Sequence, residues 1–330
     1  MATTVRSSRR SRHSRRDHAE TRVPASESPM LPGAATAEAR RAQTRGTLTQ
    51  LSDGGLEFEL FLPQQWQHPA ASGSRWPVLV FLHGRGESGG FDVTNAQSLP
   101  WQLVAGNNAS FVASFGFIVL VPQCPQACAM MNHWLSPTLR SVASLVHEWV
   151  QPTLGGDPRR TYLAGQSMGG HGAWIFAAQQ PRLFAAVVVV CGYTQGAPEQ
   201  AEVANRLVRQ GGAVHVYHSA DDSVIPVAAS DEMVDALRRQ AKHQAAHQDR
   251  PPPAGSLEYT RYRTAPGPPM PEFAQLTGHG SYELAFRDAS LYSWLLQHEC
   301  SRCKERPLAA WRPLGKDQGV RPRGAGVSPY

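Results

Sequence analysis

A serine flanked by glycines is the residue whose type and spacing best suit covalent chemistry in this sequence. Residues 165–169 read Gly-Gln-Ser-Met-Gly and fit the pattern G-x-S-x-G. Residues 161–164 before them predict a short strand, and residues 173–178 after them predict a helix. A sharp turn between strand and helix strains the backbone at the serine and leaves no room for side chains on its neighbours. We therefore predict that Ser167 is a nucleophile.

A serine nucleophile needs a histidine as base and a carboxylate that orients the histidine. At a turn of this kind the expected chain order is serine, acid, histidine. The predicted strand 213–217 leads into residues 218–226, which contain the adjacent aspartates Asp221 and Asp222. Only one of the two can point at the imidazole. We favour Asp222 as the acid because it precedes Ser-Val-Ile-Pro, and interpret the other aspartate as a turn or capping residue.

The base is expected after the next predicted strand, residues 257–262. Two histidines follow this strand, His279 and His298. His279 lies between two glycines in a loop that precedes the last predicted helix, whereas His298 lies at the end of that helix. A loop position suits a base that must reach the serine, so we predict His279. The earlier residues His171, His215 and His218 are interpreted as structural or pocket-lining.

The tetrahedral intermediate of acyl transfer needs backbone N–H groups that stabilise its negative oxygen. One is expected from Met168, the residue after the nucleophile. The second is expected from the glycine-rich turn at residues 83–86, His-Gly-Arg-Gly, and specifically from the backbone of Arg85. The Arg85 side chain has no part in this prediction.

Short apolar segments alternate with helical ones along the middle of the chain. Strands are predicted at 56–62, 78–82, 117–121, 161–164, 185–190, 213–217 and 257–262, the first as a half-exposed edge strand. Helices are predicted at 141–150, 173–178, 231–239 and 282–297. Such alternation implies right-handed crossovers and a mostly parallel sheet with helices on both faces, an α/β fold. We expect an irregular Arg/Ser/Ala-rich arm at 1–45, one α/β domain at 46–299 and an irregular tail at 300–330.

The charge of the chain is concentrated at its ends. It has 32 Lys and Arg against 26 Asp and Glu, a formal net charge of +6, and six arginines precede the first acid, Asp17. The folded part is therefore not predicted to bind nucleic acid. No apolar segment approaches the roughly 20 residues of a transmembrane helix. The sequence does not indicate an oligomeric state.

The five cysteines predict a reducing compartment. Cys124, Cys128 and Cys191 lie in or beside apolar segments and are interpreted as small core residues. Cys300 and Cys303 are interpreted as incidental thiols of the tail, since a zinc site would need two more ligands at short spacing. The cytoplasm is the expected location. The acid-free, Arg- and Ser-rich N-terminus leaves a plastid or a mitochondrion as the alternative.

Several of these segments together resemble the α/β-hydrolase superfamily. The segments are 81–89, 121–124, 164–170, 222–226 and 278–280, and the branch they resemble is that of phospholipases, carboxylesterases and acyl-protein thioesterases. Esterases related to dienelactone hydrolase and polyhydroxybutyrate depolymerase, often termed predicted peptidases, are the most similar. The resemblance implies Ser167, Asp222 and His279 as a catalytic triad. It also makes Trp134 a candidate for the substrate pocket, although a core position is an equally good interpretation.

The expected function is hydrolysis of a carboxylic ester or thioester through an acyl-enzyme, without metal or cofactor. The substrate would be a small-molecule or lipid-like ester. A serine peptidase of the same fold and a non-catalytic binding protein of that fold are the alternatives. Nucleic-acid binding by the arm could coexist with catalysis.

Overall fold

The computed structural model describes residues 45–90, 92–104, 106–247, 256–273, 275–303, 311, 312 and 314. Apart from residue 45, the predicted arm lies outside the described residues, as does most of the predicted tail.

Eight strands form one sheet in the order β1-β2-β4-β3-β5-β6-β7-β8. The strands are β1 Leu48–Asp53, β2 Leu56–Phe61, β3 Trp76–Leu82, β4 Ile118–Pro122, β5 Gly156–Gln166, β6 Ala186–Val190, β7 Ala213–Ser219 and β8 Leu257–Tyr262. β2 runs antiparallel to both of its neighbours, and β3 to β8 are parallel. The predicted α/β class with a mostly parallel sheet is confirmed.

Helices cover both faces of this sheet. They are α1 Pro69–Ser72, α2 Leu99–Gln102, α3 Ala109–Ser114, α4 Gln126–Met131, α5 Ser136–Leu145, α6 Gln151–Thr153, α7 Met168–Gln179, α8 Ala197–Gln210, α9 Ala228–His247, α10 Ser281–Arg287 and α11 Ala289–Leu296. A π-helical turn, Val146–Val150, joins α5 to α6, and Arg85–Glu87 and Pro271–Phe273 are 3₁₀ turns. One core contains side chains of α5, α7, α8 and α9, and the other contains side chains of α2, α3, α10 and α11.

The central strand β3 shows why both faces are covered. Val78 and Leu82 belong to one core, while Leu79 and Phe81 belong to the other. Successive side chains of a strand point to opposite faces, so an unbroken apolar strand needs cover on both sides. This is the physical basis on which the sequence predicted buried parallel strands.

The structure differs from the predicted elements at the edge of the sheet and at its last helix. β1 was not predicted, and because it pairs with β2 the latter is not the edge strand that its alternating pattern indicated. The predicted helix 282–297 is two helices that meet at Asp288, which caps α11 by accepting the Ser290 N–H at 2.8 Å. The helix α8 was also not predicted.

The prediction of free thiols was wrong for four of the five cysteines. Cys124 is bonded to Cys128, and Cys300 to Cys303, whereas Cys191 is a free, buried thiol. Cys124 and Cys128 are buried as expected, but as a disulfide rather than as thiols.

Part of the predicted tail packs on the domain. Trp311 and Leu314 contact the core that includes α7, and the Arg312 N–H donates to the Gln179 carbonyl at 3.0 Å. Among the described residues, no helix is both long and apolar enough to cross a membrane.

The parallel strands bring four loops to one edge of the sheet. β3 leads into the turn at residues 83–87, β5 into Ser167, β7 into the two aspartates, and β8 into the loop that contains His279. In open α/β sheets the carboxyl ends of the strands are where ligand sites form.

Candidate active site

The backbone at Ser167 has the strain expected of an exposed nucleophile. Its φ is 54° and its ψ is −119°, a combination uncommon for a residue with a side chain. Two backbone hydrogen bonds maintain it: the Ser167 N–H donates to Val190 O at 2.9 Å, and the His171 N–H donates to Ser167 O at 3.1 Å. The serine thus stands between the end of β5 and the first turn of α7.

The glycines around Ser167 are required by close backbone packing. A Cβ atom on Gly165 would overlap the carbonyl group of Gly169, and one on Gly169 would overlap the Leu82 carbonyl oxygen. A Cβ on Gly170 would lie 2.8 Å from the Gly192 Cα. These contacts press the start of α7 against β3 and β6, as the sequence pattern predicted.

Gly169→Ala is expected to destabilise the protein by about 3 kcal/mol or more, because its methyl group would overlap backbone that cannot move aside. Thermal unfolding followed by circular dichroism measures the effect. Gly212→Ala is the matched control, since a Cβ there meets no atom within 4 Å. The control should melt close to wild type, and equal melting of the two variants would contradict a packing role for Gly169.

His279 lies within hydrogen-bonding distance of the serine. Its Nε2 is 3.1 Å from Ser167 Oγ, and its Nδ1 is 3.1 and 2.9 Å from the two carboxylate oxygens of Asp222. His279 is buried, with 7% of the residue exposed. The structure therefore brings together the three residues that the chain order predicted, and it places His298 at the end of the last helix.

Asp222 is a buried carboxylate with many donors. Its Oδ1 accepts the backbone N–H groups of Val224 at 2.8 Å and Ile225 at 2.9 Å, and its Oδ2 lies 3.2 Å from His218 Nε2. Burial by itself raises the pKa of Asp222, but the hydrogen bonds from His218 and His279 outweigh burial and hold this pKa well below its ordinary value. The carboxylate is therefore ionised at neutral pH.

His218 is a member of the site that the sequence did not reveal. Its side chain is fully buried between the Ser230 hydroxyl, 2.7 Å from Nδ1, and the Ile225 carbonyl, 3.0 Å from Nε2. Donation from Nε2 to the Ile225 carbonyl leaves Nδ1 to accept from Ser230, and the same N–H faces Asp222. The sequence predicts a structural or pocket-lining role for His218, and does not reveal its contact with Asp222.

Asp221 has a different environment from its neighbour. It is exposed, and its Oδ1 accepts the Ser219 hydroxyl and, at 3.1 Å, the Ala265 N–H. A Cβ on Gly278, whose φ is 74°, would overlap the Asp221 carbonyl group. Asp221 thus fixes the course of the loop before His279, while Asp222 contacts the imidazole.

Two backbone segments border the position where an oxyanion would form. Met168 is the first residue of α7, so its N–H has no acceptor within the helix and lies at the positive end of the helix dipole. Arg85 begins the 3₁₀ turn after β3, and a Cβ on the preceding Gly84 would lie 3.7 Å from Ser167 Cβ. The turn that carries the Arg85 amide is therefore beside the serine.

Trp134 is fully buried. Its indole N–H donates to the His83 carbonyl at 3.2 Å, and a Cβ on Gly172 would lie 2.8 Å from its ring. This places the indole between α7 and the start of the turn at residues 83–87.

His171 and His215, the other two histidines interpreted as structural or pocket-lining, have partners of their own. His171 Nε2 lies 3.0 Å from Glu199 Oε2, and its ring stacks on that of Tyr193. His215 stacks on Tyr217 and lies 2.9 Å from the Thr260 hydroxyl.

One group of described residues has the donor types of a metal site. Ligand atoms of Cys191, Asp222 and His279 lie within 4.8 Å of one another. Burial raises the pKa of the Cys191 thiol, and its Sγ faces the His279 carbonyl at 3.8 Å. Both Asp222 oxygens are already engaged, so these donors fit a proton-transfer site better than a resident cation.

The sheet topology and the strained serine at the end of a central parallel strand define the α/β-hydrolase class. The chain belongs to the Esterase family, since residues 52–250 match the family model described as "Putative esterase". Family and fold together support a serine hydrolase. No protein of curated function matches the sequence significantly.

Solved structures share the fold at low sequence identity. A thermostable esterase superposes with a TM-score of 0.55 at 23% identity, over 76% of this chain and 62% of that one. Acylaminoacyl peptidase from Pyrococcus horikoshii superposes with a TM-score of 0.50 at 13% identity, over 80% of this chain and 44% of that one. This chain thus spans less than two thirds of either protein.

Proposed function

We propose that the protein is a serine hydrolase that cleaves carboxylic esters or thioesters through an acyl-enzyme intermediate. The observation that supports this proposal most strongly is the continuous chain of hydrogen bonds from Ser167 Oγ through the His279 ring to the Asp222 carboxylate. Each contact in this chain has the length that proton transfer or imidazole orientation requires.

In the first half of the reaction, Ser167 Oγ bonds to the carbonyl carbon while its proton passes to His279 Nε2. The carbonyl electron pair moves onto the oxygen and gives a tetrahedral oxyanion. When this electron pair returns to re-form the carbonyl, the bond to the leaving alcohol or thiol breaks and His279 donates its proton to that group. Water then repeats both steps on the acyl-serine, releasing the acid and restoring Ser167.

The oxyanion is proposed to accept from the backbone N–H groups of Met168 and Arg85. Both segments have contacts that hold them without substrate, because the first is helical and the second is a turn bonded by the side chains of His83 and Gln123. Donors that need no reorganisation contribute most to the stabilisation of developing charge.

Asp222 is proposed to orient His279 and to stabilise the imidazolium. Its ionised state is maintained by the donors described above, so it can hold Nδ1–H and leave Nε2 free to accept the serine proton. No step in this scheme needs a metal or an organic cofactor.

The substrate is proposed to be a small-molecule or lipid-like ester; the family description supports the ester bond. Peptide cleavage would use the same residues but must expel a poorer leaving group.

The proposal is tested by labelling the native protein with a fluorophosphonate and locating the added mass by peptide mapping. We expect one label per chain on Ser167, and none on protein unfolded by heat before the probe is added, because labelling requires the His279 contact. Turnover of p-nitrophenyl esters from acetyl to octanoyl, with a matched thioester, then ranks substrates. A folded protein that neither labels nor turns over these esters would contradict the proposal.

A further inference from the structure

Glu87 is a buried acid that the proposed mechanism does not use. It ends the 3₁₀ turn Arg85–Glu87 and is 4% exposed. Carboxyl groups are seldom buried without a partner that requires them. Glu87 lies in the same turn as Arg85, the predicted oxyanion donor, so its contacts can affect that donor.

The Glu87 carboxyl group lies between the turn and the residue before the nucleophile. Its Oε1 is 3.5 Å from Gln166 Nε2, and it accepts the backbone N–H of Gly84. A Cβ on Gly84 would lie 3.0 Å from Glu87 Oε2 and 3.7 Å from Ser167 Cβ. One carboxyl group therefore lies against the turn at Gly84 and against the side chain of Gln166, the residue before the nucleophile.

Two other side chains also hold this turn. His83 Nε2 accepts the Cys124 N–H at 3.0 Å, and its Nδ1–H donates to Gly84 O at 2.7 Å. Gln123 donates its side-chain amide to the Glu87 carbonyl. The contacts of Cys124 and Gln123 attach the turn to the segment that follows β4, whereas the Glu87 carboxyl group attaches it to the side chain of Gln166.

We propose that Glu87 is a positioning residue for the oxyanion site, and that its carboxyl group holds the Gly84–Arg85 backbone in register with Gln166 and Ser167. This inference rests on the proposed function for its catalytic consequence. The structural part, that Glu87 restrains the turn, is independent of any activity.

The surroundings of Glu87 favour its neutral form. Burial raises its pKa to about 7, although backbone N–H groups of Gly84 and of Glu87 itself act in the opposite direction. The titratable groups that face it among the described residues are His83, 4.0 Å away at the end of β3, and Tyr282 from α10. Burial lowers the pKa of His83 to about 4 and raises that of Tyr282, so both are neutral near pH 7.

A neutral Glu87 has a proton to donate, and Gln166 has an acceptor for it. Gln166 Oε1 is buried and has no hydrogen-bond partner. Rotation of the side-chain amide by 180° would exchange its nitrogen and oxygen and let Oε1 accept the Glu87 O–H. Ionisation would remove this O–H donation, leave Gln166 Nε2 to face the carboxylate as in the structure, and place a negative charge beside the turn that carries the Arg85 amide. Activity is therefore expected to fall as pH rises through about 7.

The experiment compares Glu87→Ala and Glu87→Gln with wild type. Alanine removes every contact of the carboxyl group, so kcat should fall by about 10- to 100-fold with KM within about threefold, less than the loss of a whole oxyanion donor. Glutamine keeps an acceptor and a donor but does not ionise. Its kcat should therefore stay within about threefold of the wild-type kcat measured below pH 7. The decline of kcat near pH 7 should disappear.

Glu59→Gln is the matched control. Glu59 also has a pKa raised to about 7 by burial, but it lies on β2, two strands away from β3 in the sheet. Its replacement should leave the pH profile of kcat/KM unchanged. Hydrogen exchange of residues 83–88, measured by mass spectrometry, should be faster in Glu87→Ala and unchanged in Glu87→Gln.

Wild-type kcat and wild-type exchange in Glu87→Ala would overturn the proposal. A Glu87→Gln variant as impaired as Glu87→Ala, or one that keeps the decline near pH 7, would also overturn it. If Glu87→Ala does not fold, the pH profile of kcat for Glu87→Gln decides whether the proposal holds. A wild-type protein without esterase activity would contradict the proposed function, and the exchange measurement would still decide whether Glu87 restrains the turn.

Discussion

Ser167→Ala is expected to lower kcat for an activated ester by about 10⁶-fold and to abolish fluorophosphonate labelling. The variant retains His279, Asp222 and both backbone donors, but no atom remains that can form the acyl-enzyme. Residual turnover would come from water bound near the oxyanion site. Rates with a p-nitrophenyl ester, measured beside wild type purified in parallel, give the ratio.

The stability of this variant is expected to stay within about 1 kcal/mol of wild type. Alanine keeps the Cβ atom, so the backbone strain at φ 54° is unchanged. The lost bond to His279 is a contact of a partly exposed hydroxyl. A large drop in kcat with an unchanged melting curve therefore assigns the loss to chemistry rather than to folding.

Ser223→Ala is a suitable control for the same assay. Ser223 follows Asp222 directly, is exposed, and donates its hydroxyl to the Thr277 carbonyl at 3.0 Å. Its replacement should change kcat by less than about threefold. More than about 1% of wild-type turnover in Ser167→Ala would contradict the proposal that Ser167 is the nucleophile.

The sequence predicted the central sheet because burial on both faces makes β3, β4 and β6 continuously apolar. It did not predict β1, whose residues are mostly polar and of which only Leu51 is buried. Such a strand depends on pairing with β2, which a local pattern does not report. The two disulfides were missed for a related reason, since cysteines three and four residues apart can be either paired or free.

The candidate site also contains residues that the sequence could predict and residues that it could not. Ser167 and His279 could be predicted because glycines and chain order mark them in the sequence. His218 and Glu87 could not, because their roles depend on which strands end side by side. The choice between Asp221 and Asp222 is intermediate: both occur where the acid should be, and the packing of Gly278 against Asp221 accompanies the placement of Asp222 beside the imidazole.

Asp222→Asn is expected to lower kcat by about 10⁴-fold, with KM changed much less. The asparagine oxygen can still accept the N–H groups of Val224 and Ile225, so the loop should keep its course. Its NH₂ group, however, would face His279 Nδ1 and favour the tautomer with the proton on Nε2. That tautomer cannot accept the serine proton.

Asp221→Asn provides the matched comparison, because the two residues are adjacent and the chemical change is identical. Asp221 accepts from Ser219 and Ala265 through one oxygen, which asparagine retains, so kcat should stay within about threefold of wild type. Equal losses in the two variants would contradict the assignment of Asp222 as the orienting acid.

The acid stability of Asp222→Asn should also differ from that of wild type in a defined direction. Because the folded-state pKa of Asp222 lies below its ordinary value of 3.8, its ionised form stabilises the fold above that pH, and the contribution is lost as pH falls toward the folded-state pKa. Asp222→Asn removes a group that behaves in this way. Wild type should therefore exceed Asp222→Asn in melting temperature at pH 7, and the difference should shrink as pH falls below about 4. A difference that grew on acidification would mean that His218 and His279 do not stabilise the Asp222 carboxylate in the folded protein.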